Sequence, residues 1–308
     1  MEGIQRFGIF IVVLLVHSSV AKIDYRRPIY VIGHMVNSIG EVKEYLDRGS
    51  NVLESDISFH TNGNVEKIYH GPPCDCNRTC TGTAKLSTYL DYVREITNPY
   101  SGGYSRKLIL QFFDLKLDNV SPTGKFKAGQ VMADHVLDHL WVNLRFNDKL
   151  IRVLLYINSI SDKDTVVGFI RRFKERGVEH LLKNVGFDGG LDNLKDIKAM
   201  WESIRVKSNV WQGDGVPNCL SHRYPDQRLR EELDARDAAE GYIDKVYHWT
   251  IDDKTRMRKS LDLEVDGMIT NVPEKLVEIL QEQQYANKFR LATVDDDPFQ
   301  KFVLHQVQ

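Results

Sequence analysis

A chain of 308 residues with 42% hydrophobic content is long and apolar enough to bury a full core, and its formal charge of −2 argues against a nucleic-acid partner. No charge run is long enough to form a solvating tail. No apolar run past the N-terminus reaches the roughly 20 residues of a membrane-spanning helix. At the start, Arg6 is the one basic residue of 1–7, the run 9–16 is apolar, and Ser18-Ser19-Val20-Ala21 supplies small residues for cleavage. This pattern predicts a secretory leader over 1–21 and an extracellular mature chain from about Lys22, with an uncleaved N-terminal anchor as the competing reading. The leader holds one Glu and one Arg, so the mature charge is unchanged.

Downstream, short β-branched or aromatic runs fall at 29–33, 52–59, 108–115, 153–157, 184–187, 209–212, 245–250 and 267–270. Between and after them, apolar residues recur at helical spacing over 39–46, 86–96, 130–142, 165–176, 194–204, 227–239, 254–261 and 273–283. Eight βα units without a linker or compositional break predict a single α/β domain over 22–308, a (β/α)8 TIM barrel with a C-terminal segment from about 284. A doubly wound sheet is the alternative.

The barrel reading gathers the residues that can carry chemistry, because functional groups collect at the C-terminal ends of the strands. His34 follows the first strand. Glu54 and Asp56 are two apart on the second, so the period-two geometry of a strand points both carboxylates to one face. His70 lies in the long loop after that strand, and Asp114 and Lys116 end the third. Barrel closure brings Trp249, Asp252 and Asn271 beside His34. Three oxygen ligands without thiolates fit a hard cation such as Mg2+, and two histidines remain for proton transfer or nucleophilic attack. That combination suits phosphodiester cleavage.

Four cysteines in a secreted chain invite pairing. Cys74 and Cys76 are too close to pair with each other, so one of them bonds Cys80 and the other Cys219. A zinc site on Cys-x-Cys-x3-Cys is the competing reading. Asn77-Arg78-Thr79 is a glycosylation sequon in the same loop, and Asn119-Val120-Ser121, followed by Pro122, is a weaker one.

His34-Met35-Val36-Asn37, the Glu54-x-Asp56 pair, His70-Gly71-Pro72-Pro73-Cys74-Asp75, Asp114-Leu115-Lys116 and Asp266-Gly267-Met268-Ile269-Thr270-Asn271 together resemble the arachnid-venom sphingomyelinase D or phospholipase D toxins, also called dermonecrotic toxins. The resemblance runs from Arg26 to Thr293, with wider kinship to glycerophosphodiester phosphodiesterases. It implies one Mg2+ held by Glu54, Asp56 and Asp114, with His34 and His70 as the catalytic pair. It also implies support or head-group contact from Asp75, Lys116, Tyr247, Trp249, Asp252 and Asn271. The disulfides it implies are Cys74–Cys80 and Cys76–Cys219. Choline or ethanolamine phospholipids at membrane or lipoprotein surfaces are the expected partners, met by a monomer. Hydrolysis of small glycerophosphodiesters, or lipid binding without turnover, are the alternatives.

Two departures from the family pattern stand out. The tail ends in Phe299 where relatives commonly carry Trp, which predicts a looser plug at the barrel's closed end, and His248 stands where many relatives carry Tyr, which bears on head-group preference. Four other features carry weaker expectations. Asp134-His135 and Asp138-His139 mimic a metal site on what reads as a solvated helix face, and Asp295 to Asp297 read as a solvated turn. Asp214 reads as a loop contact to the site. Tyr247 and Trp249 could equally be packing.

Overall fold

The computed structural model describes residues 24–142 and 150–302, so the leader expected at 1–21 lies outside the described residues. Its strands are β1 (Arg27–Gly33), β2 (Val52–Phe59), β3 (Val65–Ile68), β4 (Leu110–Lys116), β5 (Arg152–Ile157), β6 (Val185–Asp188), β7 (Val210–Gly215), β8 (Lys245–Trp249), β9 (Gly267–Thr270) and β10 (Phe289–Leu291). All except β3 and β10 run parallel in one ring that closes because β1 bonds both β2 and β9. This is the expected (β/α)8 barrel, not a doubly wound sheet. The sequence reading missed the two additions: β3 folds back antiparallel on β2, and β10 pairs with the first residues of β1 at the barrel's N-terminal end.

The outer layer comprises α1 (Ile39–Asp47), α2 (Leu86–Ile96), α3 (Pro122–His135), α4 (Lys163–Glu175), α5 (Leu194–Ser203), α6 (Gln227–Asp237), α7 (Lys254–Asp262), α8 (Pro273–Leu280) and the short α9 (Gln283–Ala286). Ser38 and Glu41 form a capping box that starts α1 directly after the β1 turn. The helix expected from residue 130 begins at Pro122 instead, because Ser121 caps Gly124 N–H and proline suits the first helical position.

Strand alternation sorts the side chains. Leu53, Ser55 and Ile57 of β2 face the helices, where Leu53 and Ile57 join the main core and Ser55 bonds Tyr89. Val52 faces the barrel interior with Tyr30, Ile32, Phe112, Leu154, Trp211 and Tyr247, and Glu54 and Asp56 follow it on the same face toward the C-terminal mouth.

The tail closes the opposite end. Trp211 Nε1 donates to Pro298 O at 2.8 Å, Asn51 Nδ2 donates to Ala292 O at 2.9 Å, and Phe299, 7% exposed, joins the interior cluster. The plug is therefore not loose: Gly186 makes room for the phenyl ring, which lies 2.3 Å from where a Cβ there would stand. The Asp295 to Asp297 turn is tied rather than simply solvated, since Asp296 pairs with Arg290 at 2.6 Å and accepts from Thr293 N–H at 2.8 Å. The Asp-His pairs of α3 and the turn that follows it are likewise engaged across helices. Asp134 and Asp138 pair with Arg176 at 2.8 and 2.7 Å, and His139 Nδ1 lies 3.2 Å from Asp91.

Candidate active site

The C-terminal mouth holds a cleft of about 390 Å³ whose wall includes His34, Glu54, Asp56, His70, Asp75, Asp114, Lys116, Tyr156, Tyr247 and Trp249. Carboxylate oxygens of Glu54, Asp56 and Asp114 lie within 4.8 Å of one another, the one such set of metal-ligating groups among the described residues. The parallel register Asp56↔Asp114 of β2 and β4 brings them together.

Each carboxylate has a different support. Glu54 Oε2 accepts from Met35 N–H at 2.6 Å, while Glu54 Oε1 is buried without any hydrogen-bond partner. Burial and the charges of Asp56 and Asp114 push the Glu54 carboxyl well above the usual range. Asp56 is gripped from both sides by Asn37, whose Nδ2 donates at 2.7 Å and whose Oδ1 accepts Asp56 N–H at 2.9 Å. Burial would raise Asp56, but the charges of Lys116 and His70 and the Asn37 bond outweigh it, and its pKa is lowered. Lys116 Nζ sits 2.6 Å from Asp114 and 2.8 Å from Asp56. Burial works against its charge, yet the three surrounding carboxylates hold it protonated. One ammonium cannot neutralise three carboxylates. The orphaned Glu54 oxygen and an all-oxygen donor set fit a hard divalent cation.

Both histidines are anchored through one ring nitrogen. His34 Nδ1 lies 3.1 Å from Asn271 Oδ1 and 3.2 Å from Asp75 Oδ2, and His70 Nδ1 donates to Gly71 O at 2.6 Å. Behind them, Asp252 accepts from Asn271 N–H at 2.8 Å, from Asn271 Nδ2 at 2.9 Å and from Thr270 Oγ1 at 3.0 Å. Burial would raise Asp75, but hydrogen bonds and charge from His34, with help from Asn271 and Thr250, hold it below the usual value. The expected disulfides Cys74–Cys80 and Cys76–Cys219 are both present. The second ties the loop after β3 to the loop after β7, where Asn218 bonds Cys76 and also donates to Asp252 at 2.7 Å.

The remaining expectations divide. Tyr247 is only 1% exposed. It packs edge-on to Phe112 at 5.6 Å, over Gly213, and lines the floor of the cleft. Trp249 is half-buried on the wall. His248, between them, faces away from the cleft: it is buried on Ser260 Oγ at 2.8 Å, and burial with the Arg256 charge drives its pKa down to about 3. The departure at this position therefore does not reach the cleft. Asp214 does not contact the cleft either. It points outward to Tyr224 at 3.2 Å, as strand alternation from the inward Gly213 requires.

Sequence reasoning missed Asn218 and Asp188, and quoted Asn37 in a motif without giving it a role. Asp188 ends β6 facing Tyr247, and burial raises it to about 7. The roles of the two amides gave no signal, because their partners are distant along the chain. Asp188 had one, a lone acid closing an apolar strand.

The Dermonecrotic toxin SPH family matches residues 24–299. The chain belongs to that family. It is 43% identical over 277 residues to a dermonecrotic toxin of Loxosceles cf. spinulosa, covering 89% of this chain and all of the relative. It is 40% identical over 303 residues to a dermonecrotic toxin of the tick Ixodes scapularis, covering 95% and 81% of the two chains. A solved glycerophosphodiester phosphodiesterase from Parabacteroides distasonis superposes with a TM-score of 0.52 at 14% identity, covering 84% of this chain and 99% of that one, a likeness of fold.

Proposed function

We propose that this family member is a secreted phospholipase D-type enzyme that releases the head-group alcohol of sphingomyelin and lysophospholipids at membrane or lipoprotein surfaces. The reading is supported above all by two histidines, each anchored at Nδ1, on the wall of a cleft that also holds a buried three-carboxylate site. Its two disulfides suit an extracellular protein.

Glu54, Asp56 and Asp114 would hold one Mg2+. Bound there, the ion supplies Lewis-acid stabilisation for charge on the phosphate oxygens. The protein's own groups do the rest. Lys116 keeps Asp56 and Asp114 paired and adds positive charge beside the phosphate. The Nδ1–H of His34 faces the Asp75 carboxylate, so positive charge developing on that ring is stabilised as Nε2 takes the proton of the attacking hydroxyl. His70, protonated at Nε2, gives its proton to the departing choline or ethanolamine oxygen as the P–O bond breaks. If the lipid's own hydroxyl attacks, the products are a cyclic phosphate and a free alcohol; if water attacks, they are a linear phosphate monoester and the same alcohol. Trp249 offers an aromatic face to a quaternary ammonium, and Tyr247 forms the floor beneath it.

The test is 31P NMR of the mature protein with Mg2+ on sphingomyelin micelles, lysophosphatidylcholine micelles and soluble glycerophosphocholine, beside His34→Ala. A new resonance abolished by EDTA and by the substitution supports the reading, and its shift tells cyclic from linear product. Turnover confined to glycerophosphocholine would instead favour a small-diester hydrolase, the activity for which the structural relative is named. Silence on all three substrates would point to a binding homologue.

A further inference from the structure

We propose that Arg78, carried by the small Cys74–Cys80 disulfide loop, is a positioning residue that sets the placement of His34 and of Glu54 together. The inference rests on the reading of His34 as catalytic.

After β1 the chain makes a sharp turn. Met35 sits at φ +49°, in the left-handed region that non-glycine residues seldom occupy, and its N–H is thereby aimed at Glu54 Oε2 at 2.6 Å. The same turn points two successive carbonyls, those of His34 and Met35, at one guanidinium nitrogen. Arg78 Nη2 donates to His34 O and Met35 O, each at 2.8 Å. The other end of the fork, Nη1, bonds the hydroxyl of Tyr45, and Glu41 Oε1 of the α1 capping box lies 3.5 Å from Nη2. One side chain therefore binds the backbone of a catalytic histidine, the residue that fixes a metal-site carboxylate, and the start of α1.

Only arginine suits this place, since its planar fork can meet two carbonyls and a hydroxyl at once, whereas a lysine ammonium is a point charge on a flexible stem. The neighbouring strands hold the flanks of the turn, with His34 N–H on Thr270 O at 3.2 Å and Val36 N–H on Glu54 O at 2.8 Å, but the two carbonyls at its centre are taken by Arg78. Without the guanidinium, the two carbonyls lose their shared partner and Met35 has less to keep it left-handed. Relaxation there would move His34 Nε2 and withdraw the N–H from Glu54. The disulfide joins this arrangement from outside: Cys74–Cys80 closes the loop that presents Arg78, and Cys80 Sγ lies 3.0 Å from Gly71 O, the carbonyl that also anchors His70. The loop thus acts on both histidines, on His34 through Arg78 and on His70 through Gly71.

The test uses the full mature protein as Arg78→Lys and Arg78→Ala, with both disulfides verified. Three readouts are followed: steady-state kinetics on lysophosphatidylcholine, the low-field 1H–15N signal of His34 Nδ1–H, and Mg2+ affinity by calorimetry. In Arg78→Ala, kcat should fall about 10–100-fold with KM within about twofold, the span typical for groups that orient ligands from behind. The His34 signal should shift or broaden, and Mg2+ should bind more weakly. Millimolar guanidinium should restore part of kcat to Arg78→Ala, and Arg78→Lys should lie between the alanine variant and the parent. Unchanged kcat per folded molecule, with an unmoved His34 signal and parental Mg2+ affinity, would overturn the proposal and leave Arg78 a loop staple. If the parent protein turns over no lipid, the catalytic reading fails by itself, and the His34 signal and Mg2+ affinity still decide whether Arg78 positions the turn.

Discussion

Asn271 holds its Oδ1 3.1 Å from the Nδ1 of His34, and the direction of that amide is dictated from behind. Asn271 Nδ2 donates to Asp75 at 3.1 Å and to Asp252 at 2.9 Å, both acceptor-only groups when ionised, so the oxygen must face the histidine. Nδ1 of His34 therefore carries the hydrogen, and the lone pair of the neutral ring is at Nε2. The tautomer is set by residues that lie behind the imidazole. Asn271→Ala should lower kcat about 10–100-fold while leaving KM within about twofold, because orientation is lost but lipid contacts remain. Steady-state kinetics on mixed micelles checks this. A KM rise with unchanged kcat would place Asn271 in substrate binding instead.

The raised pKa of Glu54 gives metal binding a sign with respect to pH. A raised carboxyl makes protons compete with a cation for Glu54, so Mg2+ affinity should rise with pH and binding should release a proton. Calorimetry in two buffers of different ionisation enthalpy measures that proton directly. Glu54→Gln should abolish both the pH dependence and the Mg2+-induced rise in thermal midpoint. The parent should gain about 3 kcal/mol at a hundredfold excess over Kd. In the absence of metal the variant should be at least as stable as the parent, since it removes a buried carboxylate that faces two others.

Asp188 gives a second pH test, one of stability. Its folded pKa of about 7 lies above the ordinary 3.8, so the folded state holds a proton that the unfolded chain has released. Its contribution is fully present below about pH 4 and is lost as pH rises through 7, an effect on the order of 4 kcal/mol for a fully buried group. Asp188→Asn, neutral at every pH, should match the parent near pH 4 and exceed it at pH 8 in urea unfolding. Parallel stability curves for the two proteins would contradict the assignment.

The barrel was legible because eight βα units repeat, and the acidic triad because Glu54 and Asp56 sit two apart on one strand. Alternation also sorts the side chains at 247–249. Tyr247 and Trp249 contribute to the cleft wall while His248 turns toward α7. What stayed hidden is the part of the supporting layer outside Asp75, Asp252 and Asn271. Asn37 reaches Asp56 across 19 positions, Asn218 reaches Asp252 across 34, and Arg78 reaches back to His34 across 44. Such contacts leave no periodic trace, since each depends on where closure of the ring delivers a loop.

The tail supplies the case in which expectation and structure part. The resemblance led to the expectation of a larger ring at 299, and the phenyl group of Phe299 alone suggested a loose plug. The smaller ring is instead seated against Gly186, beneath Trp211, whose indole N–H is taken by Pro298 O. What matters is whether the space left fits the ring, not its absolute size. Phe299→Ala should accordingly cost about 3–5 kcal/mol, the range for emptying a phenyl-sized site in a packed interior. It should do so with little change in kcat per folded molecule, because the plug lies at the N-terminal end of the strands and the carboxylates at the other. Denaturant unfolding and lipid turnover on the same preparation separate the two effects. Loss of kcat in step with the loss of stability would mean that the plug transmits strain through Trp211 and Tyr247 to the floor of the cleft, where their rings stand 6.1 Å apart.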